Sequence, residues 1–204
     1  MSHKILPFKA CFKGSRDYLH GTDVYEALAA LARLELGPDI RRLRLAIHRF
    51  FSTQPEIHWI DPMGGPSQPR DAVVDFSVEG SGTRASGWLT ESGREVDCRI
   101  AYEERLIEAR CKIAGDAVSV QGDTGFLPIE VAVTMTKFLH AHRLPAASGR
   151  WIFTKLDLSQ LLEPADAAAL AISLVDNLHG RLTKSDIRVA GKRIGSIFFS
   201  LVRR

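Results

Sequence analysis

Apolar residues recur at helical spacing in two stretches of the chain and at strand spacing through much of the rest. Val24, Ala27, Leu28, Leu31 and Leu34 predict a helix, capped by Thr22 or Asp23 and running to about Leu36. Ala29, Ala30 and Ala32 fill much of its other side, so this helix is expected to be buried nearly all round. Gly37-Pro38 ends it. A second helix is expected from about Pro128 to His142, with proline at a tolerated first-turn position.

The strand pattern surrounds these helices. Ile5 to Phe12 reads as a first strand, followed by a polar, irregular approach from Lys13 to Gly21. After the first helix come a long strand from Asp39 to Thr53 and a short one from Glu56 to Ile60. A Gly- and Pro-rich loop from Asp61 to Arg70 follows, and then a hairpin of Ala72 to Glu79 and Thr83 to Thr90 across Gly80-Ser81-Gly82. Glu95 to Ala101, Leu106 to Ile113 and Ala117 to Val120 all look like strands. Beyond the second helix, Arg150 to Leu158 reads as a strand. A helical turn at Pro164 to Ala168 then leads into a strand over Leu170 to Val175. Lys184 to Ala190 and Arg193 to Val202 close as a hairpin through Gly191-Lys192.

The same unit therefore occurs twice. Tyr18-Leu19-His20-Gly21-Thr22-Asp23 opens the first helix and Phe126-Leu127-Pro128-Ile129-Glu130 opens the second. Asp75 to Gly80 and Asp186 to Gly191 match at nearly the same offset as Leu19 and Leu127. The division implied is 1–93 and 94–204, two halves of one body. Each half is a sheet whose apolar face one helix can cover, which makes the class α+β.

Composition narrows the partners. A 204-residue chain with 45% hydrophobic and 25% charged residues is an ordinary globular protein. Its net charge of +3 gives no case for nucleic acid. Arg41, Arg42, Arg44 and Arg49 cluster, with Arg42 and Arg44 on one strand face, either a solvated face or a phosphate contact. No apolar run reaches the roughly 18 residues of a membrane span. Met1 to Lys9 lack a signal-peptide core. Three cysteines, Cys11, Cys98 and Cys111, with no paired motif argue against a disulfide framework or zinc site and fit a reducing cytoplasm. His140-Ala141-His142 has the wrong spacing for a helical metal pair, so no metal site is expected. Without a P-loop or GxGxxG there is no sign of a nucleotide cofactor, and no other cofactor is expected. Ser52, Ser77 and Ser200 lack a nucleophile elbow.

The segment Phe12-Lys13-Gly14-Ser15-Arg16-Asp17-Tyr18-Leu19-His20-Gly21-Thr22-Asp23-Val24-Tyr25-Glu26-Ala27-Leu28 resembles the helix opening of hydroxyacyl-thioester dehydratases of the hot-dog superfamily. That opening reads His-Phe-Pro, then Met-Pro-Gly, then Glu-Ala-Met or Glu-Ala-Leu. Gly21 takes the place of the family glycine and Glu26 that of the helix carboxylate. Phe12 falls where the family has its catalytic histidine. In the second half Leu127-Pro128 resembles Met-Pro, and Thr134 stands at the carboxylate position. The resemblance implies a double hot-dog, with two long helices wrapped by antiparallel sheet.

It also implies acyl-thioester chemistry on coenzyme A or acyl carrier protein. Such chemistry needs donors for the thioester carbonyl, which a helix N-terminus supplies, and an acid or base near the acyl carbons. Gly21 and Thr22 lie where the donors belong. Glu26 is either the tunnel-facing carboxylate or a surface acid favoured by the helix dipole. His20 is either a relocated proton carrier or a turn histidine. Asp23 is a substrate contact or a first-turn acid. Arg16 and Tyr18 line the same approach or make turn and packing contacts. Lys13 with Arg16, or the arginine-lined strand, would meet a phosphopantetheine or a carrier-protein acid. Glu130 either reaches toward the first site or is an ordinary helix-start acid.

The function expected is 3-hydroxyacyl-thioester dehydration, with Glu26 and His20 dividing acid and base work. Thioester hydrolysis is the nearest competitor. A non-catalytic acyl-binding or assembly protein, having lost the histidine at Phe12, is the other. The location expected is the cytoplasm, without membrane or nucleic-acid partners. The double unit either replaces a homodimer or dimerises again.

Overall fold

The computed structural model describes residues 2–61, 68–145 and 149–202. They divide into two units, Met1–Tyr102 with Ser159–Leu161, and Glu103–Leu158 with Leu162–Arg204. The first unit contains β1 (Ser2–Pro7), β2 (Phe12–Lys13), α1 (Gly21–Leu36), β3 (Arg42–Ile47), β4 (Thr53–Asp61), β5 (Val74–Glu79), β6 (Arg84–Glu95) and β7 (Arg99–Ile100). The second contains α2 (Glu104–Glu108), β8 (Cys111–Ala114), β9 (Ala117–Val120), α3 (Pro128–Arg143), β10 (Arg150–Leu158), β11 (Leu170–Leu178), β12 (Leu182–Val189) and β13 (Lys192–Val202). A 3-10 turn, Pro164–Ala169, precedes β11.

In the first unit the strand order is β1-β4-β6-β5-β3, every neighbour antiparallel. Val74, Phe76 and Val78 are buried and alternate with half-buried Asp75, Ser77 and Glu79, the period-two signature of a strand with one face on a core. α1 buries Tyr25, Leu28, Ala29 and Ala32, one helical stripe, together with Thr22 and Val24. It is less enclosed than its alanine content suggests, because Leu34 is 79% exposed and Ala30 is exposed. Its cap is His20, two residues before the expected Thr22 and three before Asp23. Gly37 N–H donates to the Arg33 carbonyl and closes it.

In the second unit the order is β10-β13-β12-β11-β9-β8. Pro128 to Thr136 of α3 are buried without a break, so α3 is the more enclosed helix. The two closing hairpins sit in their sheets in opposite senses. In the first unit the leading strand, β5, lies beside β3. In the second the trailing strand, β13, lies beside β10. The hairpins resemble each other in sequence, yet their places in the ladder are exchanged.

Several expectations need correction. The strand expected over Ile5–Phe12 is two strands, because the chain leaves β1 at Pro7 and pairs again only at Phe12. The long strand expected over Asp39–Thr53 ends at Ile47, and Thr53 already belongs to β4. Leu106 to Ile113 is largely not a strand: Glu104–Glu108 is one helical turn that buries Ile107 and leaves Leu106 exposed. Glu95 to Ala101 contributes only β7 and the end of β6. The loop expected at Asp61–Arg70 lies mostly outside the described residues. The turn at Pro164 and the strand after it form as expected. Among the described residues no helix is long and apolar enough to cross a membrane.

Candidate active site at the start of the first helix

The cysteine expectation also fails, and its failure shapes the site. Cys11 and Cys98 form a disulfide across 87 positions of sequence. It sits where β2 and β7 pair in parallel, with Phe12 opposite Arg99 and Lys13 opposite Ile100. Phe12 N–H donates to the Cys98 carbonyl at 3.0 Å and Gly14 N–H to that of Ile100 at 2.9 Å. The Arg99 guanidinium lies over the Phe12 ring, 5.2 Å from its centroid, and donates to the carbonyls of Gly14 and Arg16. Gly14 has φ +58°, a conformation that favours glycine, and the chain turns there after Lys13.

This frame buries Lys13, which is 3% exposed. Its Nζ lies 2.5 Å from Asp23 Oδ1 and donates to Thr22 Oγ1 at 3.2 Å. Thr22 Oγ1 is also 2.7 Å from His20 Nδ1. Lysine only donates, so it occupies one threonine lone pair; one lone pair and one proton remain. Thr22 can therefore accept from a protonated His20 Nδ1 or donate to a bare one, and the ring holds its position in either state. His20, 7% exposed, turns this ring to Thr22, and its side chain caps no backbone N–H of the helix. Tyr102 closes the group, its ring centroid 5.7 Å from that of His20, 5.4 Å from Lys13 Nζ and 5.5 Å from the Arg16 guanidinium.

His20, Thr22 and Asp23 thus meet in one network at the N-terminus of α1, with Arg16 joined to it through Tyr102. Gly21 is the first helical residue between them. Glu26 is half-buried and lies one helical turn beyond Thr22, on the same helix face. Tyr18 packs on Phe50, with ring centroids 4.4 Å apart. Lys13 with Arg16 was one of two alternatives for meeting a phosphopantetheine or a carrier-protein acid; its ammonium is instead buried against Asp23 and Thr22. No signal in its own segment marks it, because the residues that cover it arrive from positions 98–102. In the second unit Glu130 Oε2 accepts from Leu127 N–H at 3.1 Å, the contact of a helix-start acid.

Other reactive side chains lie apart from this group. Burial, with a smaller contribution from Glu108, raises the Cys111 thiol to about 11, so it stays protonated at neutral pH. His140 is fully buried in the second unit, with Nε2 3.0 Å from Thr183 Oγ1 and Nδ1 without a hydrogen-bond partner. Burial lowers its pKa to about 4. Among the described residues no group of three or more His, Cys, Asp or Glu side chains could hold a metal ion.

No protein-family model matches the chain, and none of the curated proteins matches its sequence. Solved structures do match along its full length. The dehydratase domain of PpsC from Mycobacterium tuberculosis, solved in complex with C12:1-CoA, is similar at a TM-score of 0.53 and 9% identity, covering 98% of this chain and 94% of that one. A protein assigned as a thioesterase II from Thermobifida fusca YX matches at 0.51 and 11%, covering 100% and 93%. The pyran synthase domain from module nine of the sorangicin pathway matches at 0.50 and 14%, covering 99% and 93%. The chain has the hot-dog fold. In this chain the start of α1 holds His20, Thr22 and Asp23 together, and β2 brings Lys13 to them.

Proposed function

We propose that this chain processes an acyl thioester, carried on coenzyme A or acyl carrier protein, at the N-terminal end of α1. The carrying observation is the buried His20–Thr22–Lys13–Asp23 network at that helix start. Likeness to a dehydratase domain and to a thioesterase supports the substrate class equally for both reactions.

Dehydration of a 3-hydroxyacyl thioester is the first reading. The thioester oxygen accepts from the N–H groups of the first helical turn, around Gly21 and Thr22, where the helix dipole stabilises developing negative charge. His20 removes a proton from the α-carbon, and Glu26 in its acid form delivers one to the 3-hydroxyl. The C–O bond breaks, the double bond forms and water leaves. Asp23 and Lys13 hold Thr22, and Thr22 holds His20. Arg16 and Tyr18 flank the approach. Hydrolysis is the second reading, in which the half-buried Glu26 carboxylate aims water at the same carbonyl. Either reaction uses a double hot-dog built from 1–93 and 94–204, and the exchanged hairpins make the second half a diverged copy.

The test is direct. The protein is incubated with 3-hydroxybutyryl, crotonyl and longer acyl thioesters of both carriers, following enoyl absorbance and free thiol. Enoyl product, or its hydration in reverse, supports dehydration; free thiol supports hydrolysis. No turnover across the panel leaves the binding-only alternative and sinks both.

A further inference from the structure

We propose that the Cys11–Cys98 disulfide is a reducible modification site, open to a dithiol reductant, and that its state controls the strap carrying Tyr102 over the start of α1. The two sides of the disulfide are anchored unequally. On the Cys11 side, Ala10 is buried, and the buried side chain of Gln54 grips it twice: Ala10 N–H donates to Oε1 at 2.9 Å and Nε2 donates to the Ala10 carbonyl at 3.0 Å. That side is fixed to β4. On the Cys98 side, Arg99, Ile100 and Ala101 are all exposed. Among the contacts that hold this strap are the disulfide, two backbone hydrogen bonds donated by Phe12 and Gly14, the Arg99 side chain, and the packing of the Tyr102 ring on His20, Lys13 and Arg16. Segments with few buried contacts and exposed hydrogen bonds open first.

The strap ends at Tyr102, whose ring packs against His20 and lies over the Lys13 ammonium. The covalent link is two residues from Lys13, so the same pair of strands carries both the disulfide and the buried cation of the site. Access exists as well. A cleft of about 470 Å³, lined by Phe8, Lys9, Arg94 and Asp97 with Gln54 among its walls, runs beside the residues that lead into both cysteines. Both cysteines are half-buried, not sealed.

The step is an ordinary exchange. A dithiol gives two electrons and two protons, the Cys11–Cys98 bond breaks to two thiols, and the dithiol closes to its own disulfide. Reduction leaves Cys11 and Lys13 in place and frees residues 98–102. The link to turnover rests on the acyl-thioester reading. The structural switch does not, and it is read without substrate.

The experiment compares oxidised protein, protein reduced with dithiothreitol and Cys98→Ser by amide hydrogen exchange, and follows the His20 ring resonance by NMR. Reduction and Cys98→Ser are expected to speed exchange of the Phe12 and Gly14 amides, which donate to the strap carbonyls, by about tenfold or more, with α3 unchanged. The His20 resonance is expected to shift in both. Arg99→Ala, which leaves the cysteines intact, should speed exchange over the same residues on reduction by more than in wild type. Unchanged exchange at Phe12 and Gly14, a rise spread over α3, or an unmoved His20 resonance each overturns the proposal.

Discussion

Lys13 Nζ and Asp23 Oδ1 lie 2.5 Å apart, with the lysine side chain 3% exposed and the aspartate 20%. A charge enclosed to this degree is held by its partner, and removing the partner leaves an uncompensated charge. Lys13→Ala is expected to destabilise the protein by on the order of 3 kcal/mol. The pair Lys13→Met with Asp23→Leu should recover most of that, since it removes both charges together. Urea unfolding of wild type and the two variants decides it; a Lys13→Ala midpoint equal to wild type would contradict a buried ion pair.

His140 makes the second unit acid-sensitive. Burial lowers its pKa from the ordinary 6.5 to about 4, so the folded state takes up the proton less readily than the unfolded chain. Stability is full above pH 6.5, falls as pH drops toward 4, and loses on the order of 3 kcal/mol over that window from this group. His140→Leu should be less stable than wild type at pH 7, having lost the Thr183 hydrogen bond. Its unfolding midpoint should decline less between pH 6.5 and 4. Parallel declines in the two proteins would rule His140 out as the sensitive group.

Gly87 and Gly195 mark where strands cross closely. A Cβ on Gly87 would overlap the His58 carbonyl oxygen and lie 2.7 Å from Phe76 Cζ. One on Gly195 would overlap the Asp157 carbonyl oxygen and lie 2.7 Å from a Leu158 methyl. Backbone cannot yield as a flexible side chain can, so either alanine variant should lose about 3 kcal/mol or more by thermal unfolding. Gly82, whose added Cβ would meet nothing within 4 Å, serves as the control, with only the cost of its positive φ.

The elements most legible in the sequence were those with their own punctuation. Arg150–Leu158 and the Pro164 turn stand out because glycine or proline bounds an apolar alternation or a helical start. Glu104–Glu108 was misread because Leu106-Ile107 suggests a strand, whereas only Ile107 finds a core. His20, Thr22 and Asp23 were visible because they are neighbours on a helix start. Lys13, Tyr102 and the Cys11–Cys98 bond were not, because each depends on a segment more than 80 residues away in sequence folding back onto the helix opening. The sheet order was equally hidden: matching hairpin sequences do not say which strand of the hairpin faces the rest of the ladder.

The central claim is that acyl-thioester chemistry runs on His20 and Glu26 at the start of α1. The most direct measurement is kcat/KM for His20→Ala and Glu26→Gln on the thioester that wild type turns over best, with folding checked by circular dichroism. The account predicts that each variant keeps its fold and loses about 100-fold or more, as expected for removal of a general acid or base. Wild-type rates in both folded variants would contradict it.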